Sequence, residues 1–430
     1  MAILILGATG LIGSAVAARL ARDGYDLVGV ARRIGSDARR LPVGRCIELD
    51  LRDVSRAEDW LPHLGGVDAV VNCAGALQDG AHDSVSAVHS RAPAALWRAC
   101  EQAGVRRVVQ VSAMGVDKGG ITPFSRTKSE GDAALEASGL DWVILRPSVV
   151  VGRQAYGGSA LFRALSTLPV LPRTPDAGLL DIVQLDDVAE TVAMTVRADA
   201  PARVALDLAG PEHLTFEEVI AHYRSWFGWK PARLVTLPSW AMGAAYRVGD
   251  LIGWLGWRPP IRSSARREIV RGAAGDAGAW TAATGIQPQR LAEALAAEPA
   301  SVQERWFSRL YLLKPAAIGI FALFWIMTGL ISLGPGYAQA VATMARTDGA
   351  ALAELSTIAG ALVDILIGAM ILWRRTTKPG LILALLVSLF YIASGTLLLP
   401  ALWADPLGPM MKIWPILALN LVCLAILEER

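Results

Sequence analysis

Three glycines set three residues apart, Gly7, Gly10 and Gly13, stand in the stretch Gly7-Ala8-Thr9-Gly10-Leu11-Ile12-Gly13. Before them Ala2 to Leu6 is a continuous apolar run, the pattern of a strand buried on both faces. After them Ile12, Val16 and Leu20 recur every four residues, so a helix begins inside the motif. A glycine turn between a strand and a helix can receive a pyrophosphate. Gly7 permits the tight turn, Gly10 lets phosphate reach the backbone, and Gly13 lets the helix pack close to the strand. The helix start adds unpaired N–H groups and the positive end of its dipole. A tight turn with no ligand is the alternative. A second strand, residues 26–30, ends at Ala31-Arg32-Arg33. An acidic side chain near this point would hold a ribose 2′-hydroxyl, whereas an arginine can hold a 2′-phosphate. Arg32 therefore favours NADP, with NAD the second choice, unless both arginines are merely solvated.

Positioning such a site takes more of the same elements. Residues 46–49 read as a third strand ending in Asp50-Leu51, residues 67–71 as a fourth ending in Asn72-Cys73-Ala74-Gly75, and residues 107–111 as a fifth ending in Ser112-Ala113. Helical patterns near 53–61, 84–103 and 122–138 separate them. Strands alternating with helices predict an α/β Rossmann-type, doubly wound parallel sheet. Ligands bind such sheets at the carboxyl ends of the strands, where Gly7, Arg32, Asp50, Ala74 and Ser112 all fall.

On these motifs residues 1 to about 225 resemble the short-chain dehydrogenase/reductase superfamily, in its extended or atypical branches. Within them this segment is similar to members allied to the NADPH-binding accessory subunit of respiratory complex I and to the NmrA-like proteins. The glycine motif from Gly7 to Gly13 is similar to theirs. Asp50-Leu51 resembles the adenine-contacting pair, and Asn72-Cys73-Ala74-Gly75 the NNAG-like turn. Leu145-Arg146-Pro147-Ser148, with Val149 to Gly152, resembles the segment that passes the nicotinamide. Leu185-Asp186-Asp187-Val188-Ala189 resembles a late motif of structural character. The resemblance implies that Gly7, Thr9, Gly10, Leu11, Ile12, Gly13, Arg32, Asp50, Leu51, Ala74, Gly75, Ser112, Lys128 and Pro147 contact the cofactor, with a small substrate lobe after the sixth strand.

The superfamily's Tyr-x-x-x-Lys pair falls on Phe124-Ser125-Arg126-Thr127-Lys128. That spacing puts both side chains on one helical face. The lysine lowers the tyrosine's pKa and holds the nicotinamide ribose, and the tyrosine moves a proton. Lys128 is present and is the one catalytic candidate. Phe124 has no exchangeable proton, and Ala113 and Met114 occupy the places where a catalytic hydroxyl is expected. Tyr156 is read as packed or surface, His82 and His89 as surface or capping histidines, and His213 as part of a helix entry before Thr215-Phe216-Glu217-Glu218. No carboxylate or histidine cluster suggests a metal.

Hydrophobic residues make up 53% of the 430-residue chain and charged ones 19%, with a formal net charge of +2, so no global basic field points to nucleic acid. Cys46, Cys73, Cys100 and Cys423 show neither zinc nor disulfide spacing. The apolar excess gathers after residue 314. Residues 315–333, 379–404 and 413–427 carry no charge, and 355–373 carry only Asp364. The last reaches spanning length with residues 409–412 added and Lys412 snorkelling. Four such stretches predict an all-α transmembrane four-helix bundle, whose length and order are similar to the DoxX-like family. The expected domains are 1–230, NAD(P)-binding; 231–312, an amphipathic, linker and substrate-lobe segment; and 313–430, the membrane bundle.

Arg305, Arg309 and Lys314 before the first span, and Arg374, Arg375 and Lys378 between the second and third, place both ends of the bundle in the cytoplasm by the positive-inside rule. No signal peptide is read at the start. The expected location is the cell (inner) membrane, with the nucleotide domain cytoplasmic. Trp240, Val248, Leu251 and Trp254, followed by Arg258, Arg262, Arg266 and Arg267, fit a membrane-interface helix, a lid over an apolar pocket, or ordinary core. Residues 259–300 are expected to hold a linker and a short helix. Asp364 faces the bundle interior, either for a quinone head group, a partner or a proton, or as packing glue to Asn420 or Ser388. The function expected is a membrane-bound oxidoreductase acting on a lipophilic acceptor such as a quinone or isoprenoid. The alternatives are a non-catalytic NADPH-binding sensor or scaffold docked to a membrane protein partner, and a bundle that is a plain anchor in the lipid bilayer.

Overall fold

The computed structural model describes residues 1–34, 41–80, 84–118, 122–257, 262–347 and 350–427. It divides into two compact units, residues 1–250 with 259–308, and residues 251–258 with 309–430.

The first unit is built on a parallel sheet of seven strands: β1 (Ala2–Leu6), β2 (Asp26–Ala31), β3 (Arg45–Glu48), β4 (Ala69–Asn72), β5 (Arg107–Val111), β6 (Asp141–Pro147) and β7 (Val204–Leu208). Their order is β7-β6-β5-β4-β1-β2-β3. The chain winds outward from β1 to β3, then crosses back to β4, so the winding reverses between β1 and β4, beside the end of Leu6. Helices cover both faces, which is why the inner strands β4 and β5 are buried throughout, while the edge strand β3 exposes Arg45 and Glu48. Ile3 and Ile5 pack with Val16 and Leu20 of α1 (Leu11–Arg22), while Leu4 and Leu6 pack with Trp60, Leu96 and Trp97 on the opposite face.

Two helical expectations change. Residues 53–61 form only short 3₁₀ turns, Ala57–Asp59 and Leu61–His63. The Asp59 carboxylate takes the N–H groups of Ser55 and Arg56, and Pro62 has no N–H to continue a helix. The helix over 84–103 contains a π-segment, Ala87–Arg91, before α2 (Ala92–Ala103). Pro93 cannot donate to the His89 carbonyl four residues back, so the ladder slips and the Ala92 N–H bonds Ala87 instead. α3 (Pro123–Glu136) packs onto this slip. A Cβ at Gly131 would lie 2.0 Å from the His89 carbonyl oxygen, so only glycine fits there.

The smaller lobe buries Val151, Phe162, Ile220, Tyr223, Phe227 and Leu291 around helices Gly157–Leu165, Phe216–Trp226 and Leu291–Ala297. Thr215 and Glu218 form the capping box that starts Phe216–Trp226. Residues 259–300 hold more than a linker and one helix. Ser263–Arg271, Gly278–Thr284 and Leu291–Ala297 are all helical, and Trp280 and Leu291 anchor the last two through burial. Helix Ser239–Trp254 leaves Trp240, Val248, Leu251 and Trp254 exposed, so that face is not core.

The second unit is helical. Val302–Leu333, Ala353–Leu372 and Thr377–Leu398 are long and apolar enough to cross a membrane; Pro409–Ala425 is apolar and shorter. Small residues set the helix approach. A Cβ at Gly329 would meet the Ala361 carbonyl at 2.4 Å, and one at Gly368 the Ala322 carbonyl at 2.6 Å. Asn420 donates to the Leu381 carbonyl at 3.1 Å. Asp364 is buried and accepts a hydrogen bond from the Tyr391 hydroxyl at 2.9 Å, so its partner is neither Asn420 nor Ser388.

Candidate functional site

The glycine turn sits at the reversal point between β1 and β4. Gly7 has φ +68°, and a Cβ there would press on the Ala74 backbone at 2.9 Å. Its N–H donates to the Val30 carbonyl at 3.1 Å, and its carbonyl receives the Gly10 N–H at 2.9 Å. That same carbonyl would lie 2.2 Å from a Cβ on Gly13, so the turn closes only with glycine at both places. Gly10 caps α1 with no side chain to bond the first-turn N–H groups, and no acidic residue occupies that turn. These donors therefore stay open for an anion. Thr9, Gly10, Leu11 and Ile12 are only half-buried around them.

Lys128 ties the ends of β4 and β5 to this turn. It is buried, not an exposed helix lysine. Its Nζ donates to the Val111 carbonyl at 2.8 Å and to that of Ala74 at 3.5 Å, and it lies beside Gly75. Burial pulls the ammonium below the usual lysine range, against the pull of Asp132 and Cys73. Asn72 fixes the turn from below. Its amide N–H donates to Gln110 at 2.8 Å, and its oxygen accepts the Ala74 N–H at 3.0 Å.

One helical turn on from Lys128 lies Asp132, a buried carboxyl that sequence reasoning missed although the lysine-to-aspartate spacing was there to see. Ser112 donates its hydroxyl to Asp132 at 2.6 Å, and Arg146 lies 3.8 Å away. Burial raises the Asp132 carboxyl; Ser112, Lys128 and Arg146 oppose the rise. The Pro147 carbonyl receives the Met114 N–H at 3.0 Å, which fixes the end of β6 beside β5.

Arg32 is exposed at the end of β2, and its charge lowers the Asp50 carboxyl together with the larger effect of Arg52. Asp50 is held by Arg52 at 2.7 Å, while Leu51 packs against the core. The predicted residues thus fall into two neighbouring groups: Gly7–Gly13, Ala74, Gly75 and Lys128 at the reversal, and Arg32 with Asp50 at the ends of β2 and β3.

His89 is neither a surface nor a cap residue. It is buried on the π-segment, receives the Ala76 N–H on Nε2 at 3.0 Å, and so carries its proton on Nδ1 toward Thr127 Oγ1, 2.9 Å away. Burial pulls its pKa down to about 2, with Lys128 adding to the effect, and the ring stays neutral. Phe124 stands edge-on to it at 5.3 Å. Among the sequence candidates, Tyr156 is exposed, His213 bonds the buried Asp181 at 2.6 Å, and His82 and Arg258 lie outside the described residues.

Beyond Phe124 opens a cleft walled by Leu77, Val85, Phe124 and Pro123, with Gln78, Asp79, Arg262 and Glu268 at its polar side. Glu268 accepts from the hydroxyls of Thr122 and Ser125 at the start of α3 and pairs with Arg271 at 2.7 Å. This contact joins residues more than 140 positions apart, and no local sequence signal announces it.

Residues 7–168 match the NAD(P)H-binding family and residues 322–421 the DoxX-like family. An uncharacterized protein of Mycobacterium tuberculosis is 26% identical over 222 residues, 51% of this chain and 23% of its own length, so this chain spans about a quarter of that relative. The ceramide reductase of Caulobacter vibrioides is 24% identical over 241 residues, 55% of this chain and 74% of that protein. The 40 kDa subunit of mitochondrial NADH-ubiquinone oxidoreductase from Neurospora crassa is 26% identical over 221 residues, 50% and 57% of the two chains. In fold, UDP-glucuronic acid 4-epimerase from Bacillus cereus, solved with UDP-glucuronic acid and NAD, superposes with a TM-score of 0.53 at 18% identity, covering 72% of this chain and 100% of that one. The chain therefore carries an NAD(P)H-binding domain, matched over residues 7–168, and a DoxX-like domain, matched over residues 322–421, with helices long and apolar enough to span a membrane.

Proposed function

We propose that the chain is a membrane-bound, NADPH-dependent oxidoreductase whose acceptor is lipophilic, a quinone or an isoprenoid-like lipid. The observation that carries this reading is the cleft beside Phe124, with one wall formed by Leu77, Val85, Pro123 and Phe124, one turn of α3 from Lys128 and the glycine turn. The residues present fit a dinucleotide. Gly7 and Gly13 close a turn that any Cβ would fill, and Gly10 leaves the first N–H groups of α1 open. The glycine turn would hold the pyrophosphate and Lys128 the nicotinamide ribose, with Asp50, Leu51, Ala74, Gly75, Ser112 and Pro147 lining the remainder. Arg32 would hold the 2′-phosphate.

When bound, the nicotinamide supplies a hydride. Around it, among the described residues, no hydroxyl or carboxyl is a ready acid. Phe124 has no proton, Ser112 gives its own to Asp132, and Glu268 is engaged by Thr122, Ser125 and Arg271. An acceptor that takes its proton from water after reduction, as a quinone can, suits such a site. Orientation by the positive-inside rule puts the nucleotide unit on the cytoplasmic side of the cell membrane, where NADPH is available.

The same two features, Phe124 and the engaged Ser112, favour a second reading, a non-catalytic NADPH-binding module docked to a membrane partner. The similarity to a respiratory complex subunit supports it. Titrating the detergent-purified chain with NADPH and NADH by fluorescence, then adding a short-chain quinone, separates the readings. Tight NADPH binding with oxidation, lost in Gly10→Asp, supports the enzyme. Binding without turnover over several lipophilic acceptors supports the module, and no binding of either nucleotide overturns both. Arg32→Glu with Arg33→Glu is expected to shift preference from NADPH toward NADH by about tenfold or more, the worth of a charge-assisted contact.

A further inference from the structure

We propose that the smaller lobe contains a pocket for a small oxyanion, a carboxylate or a phosphate, held on the guanidinium of Arg163. This pocket shares no residue with the glycine turn or with Lys128.

Arg163 lies on helix Gly157–Leu165 and is only 2% exposed. One Nη donates to the Gly152 carbonyl at 2.6 Å. The Tyr223 and Trp226 rings stand against its Cζ, with centroids 5.7 and 5.2 Å away. Among the described residues no carboxylate forms an ion pair with it, and its Nε has no hydrogen-bond partner. A carbonyl and two ring faces stabilise a cation, but they leave a full positive charge buried without a counter-charge. Such a charge is strongly unfavourable.

Two further polar atoms of the same cavity are buried with no well-aligned hydrogen bond, Gln184 Nε2 and Tyr223 Oη; the Tyr223 oxygen lies beside the Arg163 guanidinium, which leaves its proton to donate. Tyr223 is fully buried. All three groups can donate, so their common complement is a group with several acceptor oxygens and negative charge. An apolar ligand would leave all three unsatisfied, and a cation would face Arg163. Arg153 at the mouth adds a second positive charge, while Glu298 is the acidic residue of the rim, its backbone carbonyl taken by the Trp226 N–H at 2.7 Å. Water alone would satisfy hydrogen bonds but not the charge. The residues converge from four places in the chain, near 152, 163, 184 and 223, so the site exists only in the folded lobe.

The test is thermal unfolding and calorimetric titration of the full-length, detergent-purified chain with inorganic phosphate and with succinate, against chloride at constant ionic strength. Stabilisation by either anion, with affinity reduced about tenfold or more in Tyr223→Phe and in Arg163→Gln, supports the pocket. Tyr223→Phe keeps the buried ring and tests the site even if Arg163→Gln fails to fold. Phosphate can also meet the glycine turn, so the titration is repeated on Gly10→Asp, where the response must persist. A response that vanishes in Gly10→Asp, or one unchanged by Tyr223→Phe, overturns the proposal. So does no response to either anion, which would mean ordered water alone fills the cavity. A stronger response to phosphate than to succinate would identify the ligand as a phosphate compound, and the reverse a carboxylate.

Discussion

Lys128 and Asp364 are both ionisable, both buried and both on helices, yet they are stabilised in different ways. Lys128 is met by backbone, the carbonyls of Val111 and Ala74. Asp364 is met by a side chain, the hydroxyl of Tyr391. The difference follows from the elements around them. A parallel sheet ends in carbonyls and N–H groups that no neighbouring strand pairs, so strand ends offer partners to a charge. A helix spends its backbone groups on itself, so a carboxylate within a helical bundle finds partners only among side chains. A site made from strand ends is therefore rigid and ready for a ligand, while an intramembrane carboxylate depends on one or two side chains of neighbouring helices.

The largest way to break this contrast is at the turn. Gly13→Val would set side-chain carbon where Cβ lies 2.2 Å from the Gly7 carbonyl. It is expected to reduce NADPH affinity more than about a hundredfold and to destabilise the chain by about 1–3 kcal/mol, the usual cost of overpacking. Fluorescence titration and thermal unfolding read both. Gly319→Ala in the first spanning helix, where a Cβ meets nothing within 4 Å, should lower neither.

Next comes Lys128→Met, which keeps the aliphatic stem and removes the charge. NADPH affinity should fall about ten- to a hundredfold, in line with loss of charged hydrogen bonds, while the fold survives. Unchanged affinity would refute the ribose-binding role.

The third effect is pH dependence through His89. Its folded pKa, about 2, lies below the ordinary histidine value of 6.5. The unfolded ring therefore binds a proton that the folded ring does not. The stability from burying it neutral is full above pH 6.5 and is lost as pH falls below it, at about 1.4 kcal/mol per pH unit. Denaturant unfolding between pH 7 and 5 should show a steeper loss in the wild-type chain than in His89→Gln. Equal slopes would place the ring in contact with water.

The smallest expected effect is in the membrane unit. Tyr391→Phe should destabilise the bundle by about 0.6 kcal/mol, the average for an interhelical hydrogen bond, and leave NADPH affinity unchanged. A change in NADPH affinity would show that the two buried groups are coupled.

How far these features were legible in the chain varied with their range. The parallel sheet could be read because each strand is a short apolar run followed by turn residues, a local pattern. The helix expected over 53–61 does not form, because Asp59 and Pro62 turn the backbone early through contacts that periodicity does not register. His89 looked like a surface histidine because no pattern in its neighbourhood says that Pro93 opens the helix there and that α3 closes over it. Asp132 was visible as a residue one turn from Lys128, but its bond to Ser112 needs the fold.

Sequence alone determined the glycine turn and its place between strand and helix, the loss of a proton donor at Phe124, the basic residue at Arg32 and the apolar helices after residue 314. Each of these rests on residue type or on spacing within a few turns, which hard sterics and periodicity constrain. Only the tertiary structure decided that Lys128 bonds two strand-end carbonyls, that Ser112 is engaged by Asp132, that Glu268 reaches the start of α3, and that Arg163, Gln184 and Tyr223 converge without a counter-charge. Those contacts join positions far apart in the chain, and what fixes them is how the helices pack across the sheet and within the smaller lobe.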